Sequence, residues 1–569
     1  MSICWTFWKN YAAKRVFILC IFVVPNINQT TMEDKTAYLV CSGDLRPSAN
    51  ISCWPAQQAM EEKLTHAFDR QGWKIVRAHG VDPNKGHGFI DYQRYGIEVF
   101  KSINTDVPLI LAESVWQYSH HVLAGLLSHR GPILLVANWD GTYPGLVGAL
   151  NLAGSMTKAG IEYSFLWSVD FEDDFFRKGL QEWLTTGHVT HDHSHVRNFL
   201  REEMSVEEAK VVSDFVHNIA RNKVVMGVFD EGCMGMFNAI FPDHLLHPLF
   251  FFKERLSQST LYAKMLTIST EEAEQVLQWL LDQGMKFQWG EKEDTTLTRR
   301  QTLEQCKMYI AVLRLADEFG CNTIGIQYQQ GLKELVPASD LVEGLLNNTH
   351  RPPVFDEQGK ELYAGQALPH FNEVDECAGV DGYITYHLWK QLGLQGDNTL
   401  HDLRYGEDYI VDGVKEFVWV FLISGAAPAS HFIDGYKGAD SLRQPPMFFR
   451  QGGGTLRGVS KPGKIVWSRI YIQDDQVHCD LGTGKVVELP RAETDRRWQM
   501  TNPEWPVMHG VLDGVSRDQM MAQHKANHIQ VVYVEDTFDI QSALRIKAGV
   551  MSDLGINVHI CGAQTGKGR

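Results

Sequence analysis

Val107-Pro108-Leu109-Ile110-Leu111 and, further on, Pro132-Ile133-Leu134-Leu135-Val136 are continuous apolar runs, not alternating ones. A strand apolar at every position is buried on both faces, the pattern of a parallel sheet covered by helices. The turn Gly141-Thr142-Tyr143-Pro144-Gly145 and a helical pattern over Leu146 to Lys158 follow, so strand and helix alternate from Thr36 to about Asp170. A polar, His-rich stretch from Thr185 to Arg197 interrupts the alternation. Val224-Val225-Met226-Gly227-Val228-Phe229 then opens a second α/β series, with a long helix that places Leu303, Cys306, Ile310 and Leu313 on one face. The last third changes period. Lys464 to Ile472, the turn at Asp474-Asp475, Val477 to Leu481 and Val486 to Leu489 read as short strands joined by tight turns. The fold class expected is α/β: two Rossmann-like or flavodoxin-like parallel-sheet domains at 32–200 and 201–385, then a β-rich, antiparallel barrel-like domain at 386–569. Residues 1–31 are read as an N-terminal extension.

Length and charge narrow the function. The 569 residues suffice for several cores, and 53 Lys and Arg against 69 Asp and Glu give a net charge of −16. That balance offers no broad basic field for phosphates, so nucleic acid is not the expected partner. Ten scattered cysteines do not make a disulfide scaffold, which favours a reducing, cytoplasmic location. Lys14 and Arg15 precede the apolar run Val16 to Val24, which is too short to span a bilayer. The extension therefore reads as an upstream start before Met32 or as a targeting segment, and no membrane partner is expected.

Common phosphate loops, serine elbows and zincin helices are absent from the sequence. Four imidazoles between His188 and His195 resemble a metal tract, but alternating residues in a polar stretch read better as a solvated inter-domain loop. Gly452-Gly453-Gly454 reads as a loop or strand crossing in preference to an anion cradle. Phe371-Asn372-Glu373-Val374-Asp375-Glu376-Cys377-Ala378-Gly379 differs, because it sets three carboxylates among apolar and small residues at a domain junction. Downstream lie His401-Asp402-Leu403-Arg404-Tyr405 and Ala526-Asn527-His528. Two carboxylates and one imidazole make a hard oxygen and nitrogen donor set suited to Mn²⁺, Mg²⁺ or Co²⁺. On composition alone the same acidic residues read better as a solvated loop, since acidic residues in loops are usually solvated.

These pieces, in this order, resemble the L-fucose isomerase family, a fold relative of L-arabinose isomerase. The resemblance rests on Glu373-Val374-Asp375 with Gly379, on Asp402-Leu403-Arg404 and on Ala526-Asn527-His528. Phe449-Arg450 before the glycine run, Val487-Glu488-Leu489-Pro490, Thr501-Asn502 leading to Trp505-Pro506, Gly325-Ile326-Gln327 and Val115-Trp116-Gln117-Tyr118 support it. Departures are a longer Glu373 to Asp402 interval near Gln395-Gly396-Asp397-Asn398, Phe448 in place of a Tyr, and His524-Lys525 in place of Trp-Gly.

The resemblance implies a metal-dependent aldose–ketose isomerase that interconverts L-fucose, or a related aldose such as D-arabinose, with its ketose through an enediol. Glu373 and Asp402 are then the catalytic carboxylates and, with His528, the ligands of Mn²⁺ or another divalent ion. Trp116, Gln327, Trp505 and Asn527 match positions that contact the monosaccharide. The family would deliver Trp116 from a neighbouring subunit of a trimer-based hexamer. Three alternatives stand beside this reading: an L-arabinose isomerase-like enzyme using His387, a metal-free glycoside hydrolase built on a carboxylate pair, and a non-catalytic sugar-binding descendant.

Overall fold

The computed structural model describes residues 35–562 apart from 424 and 426; the expected extension at 1–31 lies outside the described residues. The strands are β1 (Thr36–Val40), β2 (Lys74–Arg77), β3 (Leu109–Glu113), β4 (Ile133–Asn138), β5 (Ser164–Ser168), β6 (Val196–Asn198), β7 (Val224–Phe229), β8 (Phe251–Leu256), β9 (Lys286–Phe287) and β10 (Thr323–Ile326). They continue with β11 (Asn398–Val411), β12 (Val414–Leu422), β13 (Asp440–Ser441), β14 (Gly463–Gln473), β15 (Gln476–Val486), β16 (Val507–Leu512), β17 (His528–Val534) and β18 (Asn557–Cys561).

The first sheet is wholly parallel in the order β2-β1-β3-β4-β5. Its apolar runs are buried at every residue in β3 and β4 because alternate side chains enter different cores. Ile110, Leu134 and Leu166 meet the helices Pro47–Asp69 and Asp174–Thr186. Leu111, Leu135 and Trp167 meet the helix Gly145–Lys158 and, beyond it, barrel residues such as Trp419, Trp467 and Val531. The second sheet, β10-β7-β8, is also parallel. Its edge is extended by a parallel bridge from Ile324 to His370, which carries the chain to Glu373.

The last third closes on itself. β14-β17-β11-β12-β16-β15 run antiparallel to their neighbours, and β14 pairs with β15, so these six strands form a ring. A closed ring leaves no bare edge in that circuit. The other end of β15 carries β18 in parallel, and β6 adds antiparallel to β18. The expected first-domain span, 32–200, thus takes in β6, a strand that pairs with β18 of the barrel sheet. The next helix, Val206–Asn222, is tied to the late helix Ile540–Asp553 by Arg545 and Glu208, 2.7 Å apart.

The His-rich stretch is a loop, as the sequence implied, exposed at His188, Thr190, Asp192, His193 and Ser194 and anchored to the protein at His191 and His195. His191 Nε2 lies 2.9 Å from the Phe165 carbonyl with its ring stacked on Trp167, and His195 is buried. His193 Nδ1 meets Gln523 Oε1 at 3.1 Å. The rings go to separate partners because the segment is a strap that leads into β6. Gly452 and Gly453, both at positive φ, form the expected crossing, with Gly454 N–H donating to Gln305 Oε1 at 2.9 Å.

Candidate metal and sugar site

The elements that build the site leave the carboxyl ends of parallel strands, where open α/β sheets place their ligands. Trp116 follows β3, Pro144 follows β4, Met234 follows β7 and Gln329 follows β10. The loop after β1 supplies Arg46 at the β1/β3 point where strand order reverses. These residues line one cleft with Glu373, Asp402, Phe448, Phe449 and Trp505.

Glu373 and Val374 both have φ of 57°. Left-handed backbone is unusual for Glu and more so for a β-branched residue, and such strain persists only where surrounding contacts hold it. Here Val374 N–H donates to the Phe371 carbonyl and Asp375 N–H to the Asn372 carbonyl, at 3.2 and 3.0 Å. Asp375 then caps the helix Glu376–Gln391 by accepting from Ala378 N–H at 3.0 Å.

Asp402 and His528 are cross-strand partners in β11 and β17. Immediately after, the β11–β12 register slips between Leu403 and Tyr405. The bulge turns the buried Arg404 onto the loop after β4, where it donates to the Gly141 and Thr142 carbonyls at 3.1 and 3.2 Å.

His528 is fully buried and its two nitrogens face different groups. Nδ1 donates to Asp375 Oδ2 at 2.7 Å. Nε2 lies 3.3 Å from Asp402 Oδ1 and 3.8 Å from Glu373 Oε2, yet makes no hydrogen bond. Burial opposes charge on this imidazole, but the Asp375 hydrogen bond and the charges of Asp375 and Asp402 outweigh it and raise the pKa to about 9. Burial pushes Glu373 up to about 7; His528 opposes that shift, and the Asp402 carboxylate reinforces it. Burial also acts on Asp375, but Arg469 and His528 hold its carboxyl well below the usual range.

Among the described residues, no group of three or more His, Cys, Asp or Glu side chains stands as a ready-made metal site. Both separations from Nε2 are nevertheless shorter than twice a bond of about 2.1 Å, so one ion can touch the imidazole and either carboxylate. An orphaned, buried imidazole nitrogen facing two carboxylates, its other nitrogen held by a third, is a donor set that fits a divalent ion.

The residues read as sugar contacts divide. Trp116 and Trp505 line the cleft; Trp116 Nε1 is buried without a partner, whereas Trp505 Nε1 donates to Gln444 Oε1 at 2.7 Å. Trp116 reaches the cleft of its own chain, where the resemblance implied a neighbour's. Gln327 is buried with both amide atoms unpartnered, but Gln329, two residues on, is the cleft-lining glutamine. Asn527 Nδ2 donates to Asp402 Oδ1 at 3.4 Å. His387 packs its ring on Tyr383 and Tyr386, with centroids 4.2 and 5.0 Å away.

Sequence reading missed Arg46, Gln329, Asp375 and Arg469. Arg46 is a buried residue paired with Asp44 at 2.6 Å and laid over Phe448. Nothing local marked it beyond its place before Pro47. Asp375 carried a signal, as the second acid of Glu373-Val374-Asp375 at a helix start. No family model matches the chain, and no curated protein matches it.

Proposed function

We propose that the chain is a divalent-metal-dependent aldose–ketose isomerase acting on L-fucose or a stereochemically related aldose such as D-arabinose. The observation that carries this reading is the unpartnered Nε2 of His528 facing Glu373 and Asp402 at the wall of a cleft that also contains two tryptophans. Glu373, Asp402 and His528 would hold the ion, Mn²⁺ by the resemblance. When bound, it supplies Lewis-acid polarisation of the sugar's carbonyl end.

Isomerisation moves one proton between C1 and C2 and another between O1 and O2. Glu373, raised by burial to about 7, can accept and return a proton near neutrality, and Asp402 is the second carboxylate beside the reacting carbons. Trp116 and Trp505 offer aromatic surface to the apolar C–H face of a sugar, while Arg46 and Gln329 supply polar contacts for hydroxyls. The cleft's Phe448, Phe449 and Met234 exclude water around the enediol.

Among the described residues no helix is long and apolar enough to cross a membrane. The eight described cysteines are free and buried, which suits the cytoplasmic location that belongs to this proposal. A homo-oligomeric, trimer-based assembly belongs to it as well.

The test is ketose formation from L-fucose, D-arabinose, L-arabinose and L-rhamnose by EDTA-stripped protein, with and without added Mn²⁺. Metal-dependent conversion that falls by about 10²–10⁴-fold in Glu373→Gln is expected. Conversion that survives the chelator defeats the metal-dependent reading. Sugar binding without turnover of any substrate points to the non-catalytic descendant.

A further inference from the structure

Glu373 and Asp375 are two residues apart, yet they approach opposite nitrogens of one imidazole. Glu373 Oε2 is 3.8 Å from His528 Nε2, and Asp375 Oδ2 is 2.7 Å from Nδ1. The consecutive left-handed residues Glu373 and Val374 reverse the chain between them and make this possible. Both oxygens of Asp375 are committed: Oδ1 caps the helix Glu376–Gln391, and Oδ2 accepts from His528 and from Arg469 Nη1, the latter at 2.5 Å. Asp375 and His528 are fully buried and the Arg469 side chain is 2% exposed, so water does not compete for these bonds. Arg469 stands on β14 and His528 on β17, two strands paired in the barrel wall.

We propose that Asp375, pinned by Arg469, is the positioning residue of the site. It holds His528 in the Nδ1–H tautomer and so aims the Nε2 lone pair between Glu373 and Asp402. A carboxylate on the far nitrogen of a ligating imidazole fixes ring orientation and raises basicity, and its loss weakens metal binding. The proposal rests on the metal-dependent reading above, but it concerns residues outside the ligand trio and is read by binding, not turnover. Arg469 acts one step further out: it neutralises Asp375 and keeps the carboxylate from swinging off the imidazole.

The test is Mn²⁺ affinity of the full-length protein, followed by the EPR signal of free Mn²⁺, for wild type, Asp375→Asn, Arg469→Met and Arg469→Lys. Asp375→Asn keeps the shape and is expected to weaken binding by about 10–100-fold. Arg469→Met is expected to weaken binding in the same direction, with recovery in Arg469→Lys, a rescue that a packing role alone does not produce. If Asp375→Asn does not fold, the Arg469 pair decides. Wild-type affinity in Asp375→Asn, or equal affinities in the Met and Lys variants, overturns the proposal and leaves the metal-dependent reading standing. Failure of the wild type itself to bind Mn²⁺ overturns both.

Discussion

At the scale of single residues, His528 is a base surrounded by acids. Its pKa of about 9 lies above the value of about 6.5 for a free imidazole. Protonation in the metal-free protein therefore favours the folded state. That stabilisation is complete below about pH 6.5 and is lost as pH rises through about 9. The denaturation midpoint of the stripped protein should accordingly fall across this window, and the fall should flatten in His528→Gln. A metal competes with that proton, so Mn²⁺ affinity should rise over the same range; affinity independent of pH would show that His528 is not a ligand. The acid–imidazole–acid arrangement was only half legible in the sequence. The three ligand types stood in short motifs, but the Nδ1 partner of His528 is 153 residues away, and no local pattern encodes such a pairing.

Elements were most legible where burial is uniform. β3 and β4 fall within or beside their apolar runs, and the helix Arg299–Glu318 buries Cys306, Ile310 and Leu313 as its spacing implied. The β14 and β15 hairpin follows the turn at Asp474 and Asp475, both at positive φ. Closure of the ring and the capture of β6 by β18 were not legible, because strand partners far apart in sequence leave no periodicity. The crossing at Gly453 shows what such packing demands. With φ of 92°, an added Cβ would lie 2.8 Å from Ala338 N and 2.9 Å from Gln305 Nε2. Gly453→Ala should cost about 1–3 kcal/mol from backbone strain alone, with a lower Tm. An unchanged Tm would mean that the crossing relaxes freely.

At the scale of the whole molecule, the cleft draws on two parallel sheets and the barrel of one chain, Trp116 included. Trp116→Ala and Glu373→Gln, each impaired alone, should therefore fail to restore activity when co-expressed in mixed assemblies, because every cleft inherits one defect. Recovery would show that neighbours exchange Trp116, as the resemblance implied.

The late position of β17 has one more consequence. A ribosome makes Glu373, Asp375 and Asp402 long before His528, so the nascent chain carries these acids without the imidazole they are to surround. The ring cannot close before β17 emerges, so maturation of the centre waits on a strand made well after its carboxylates.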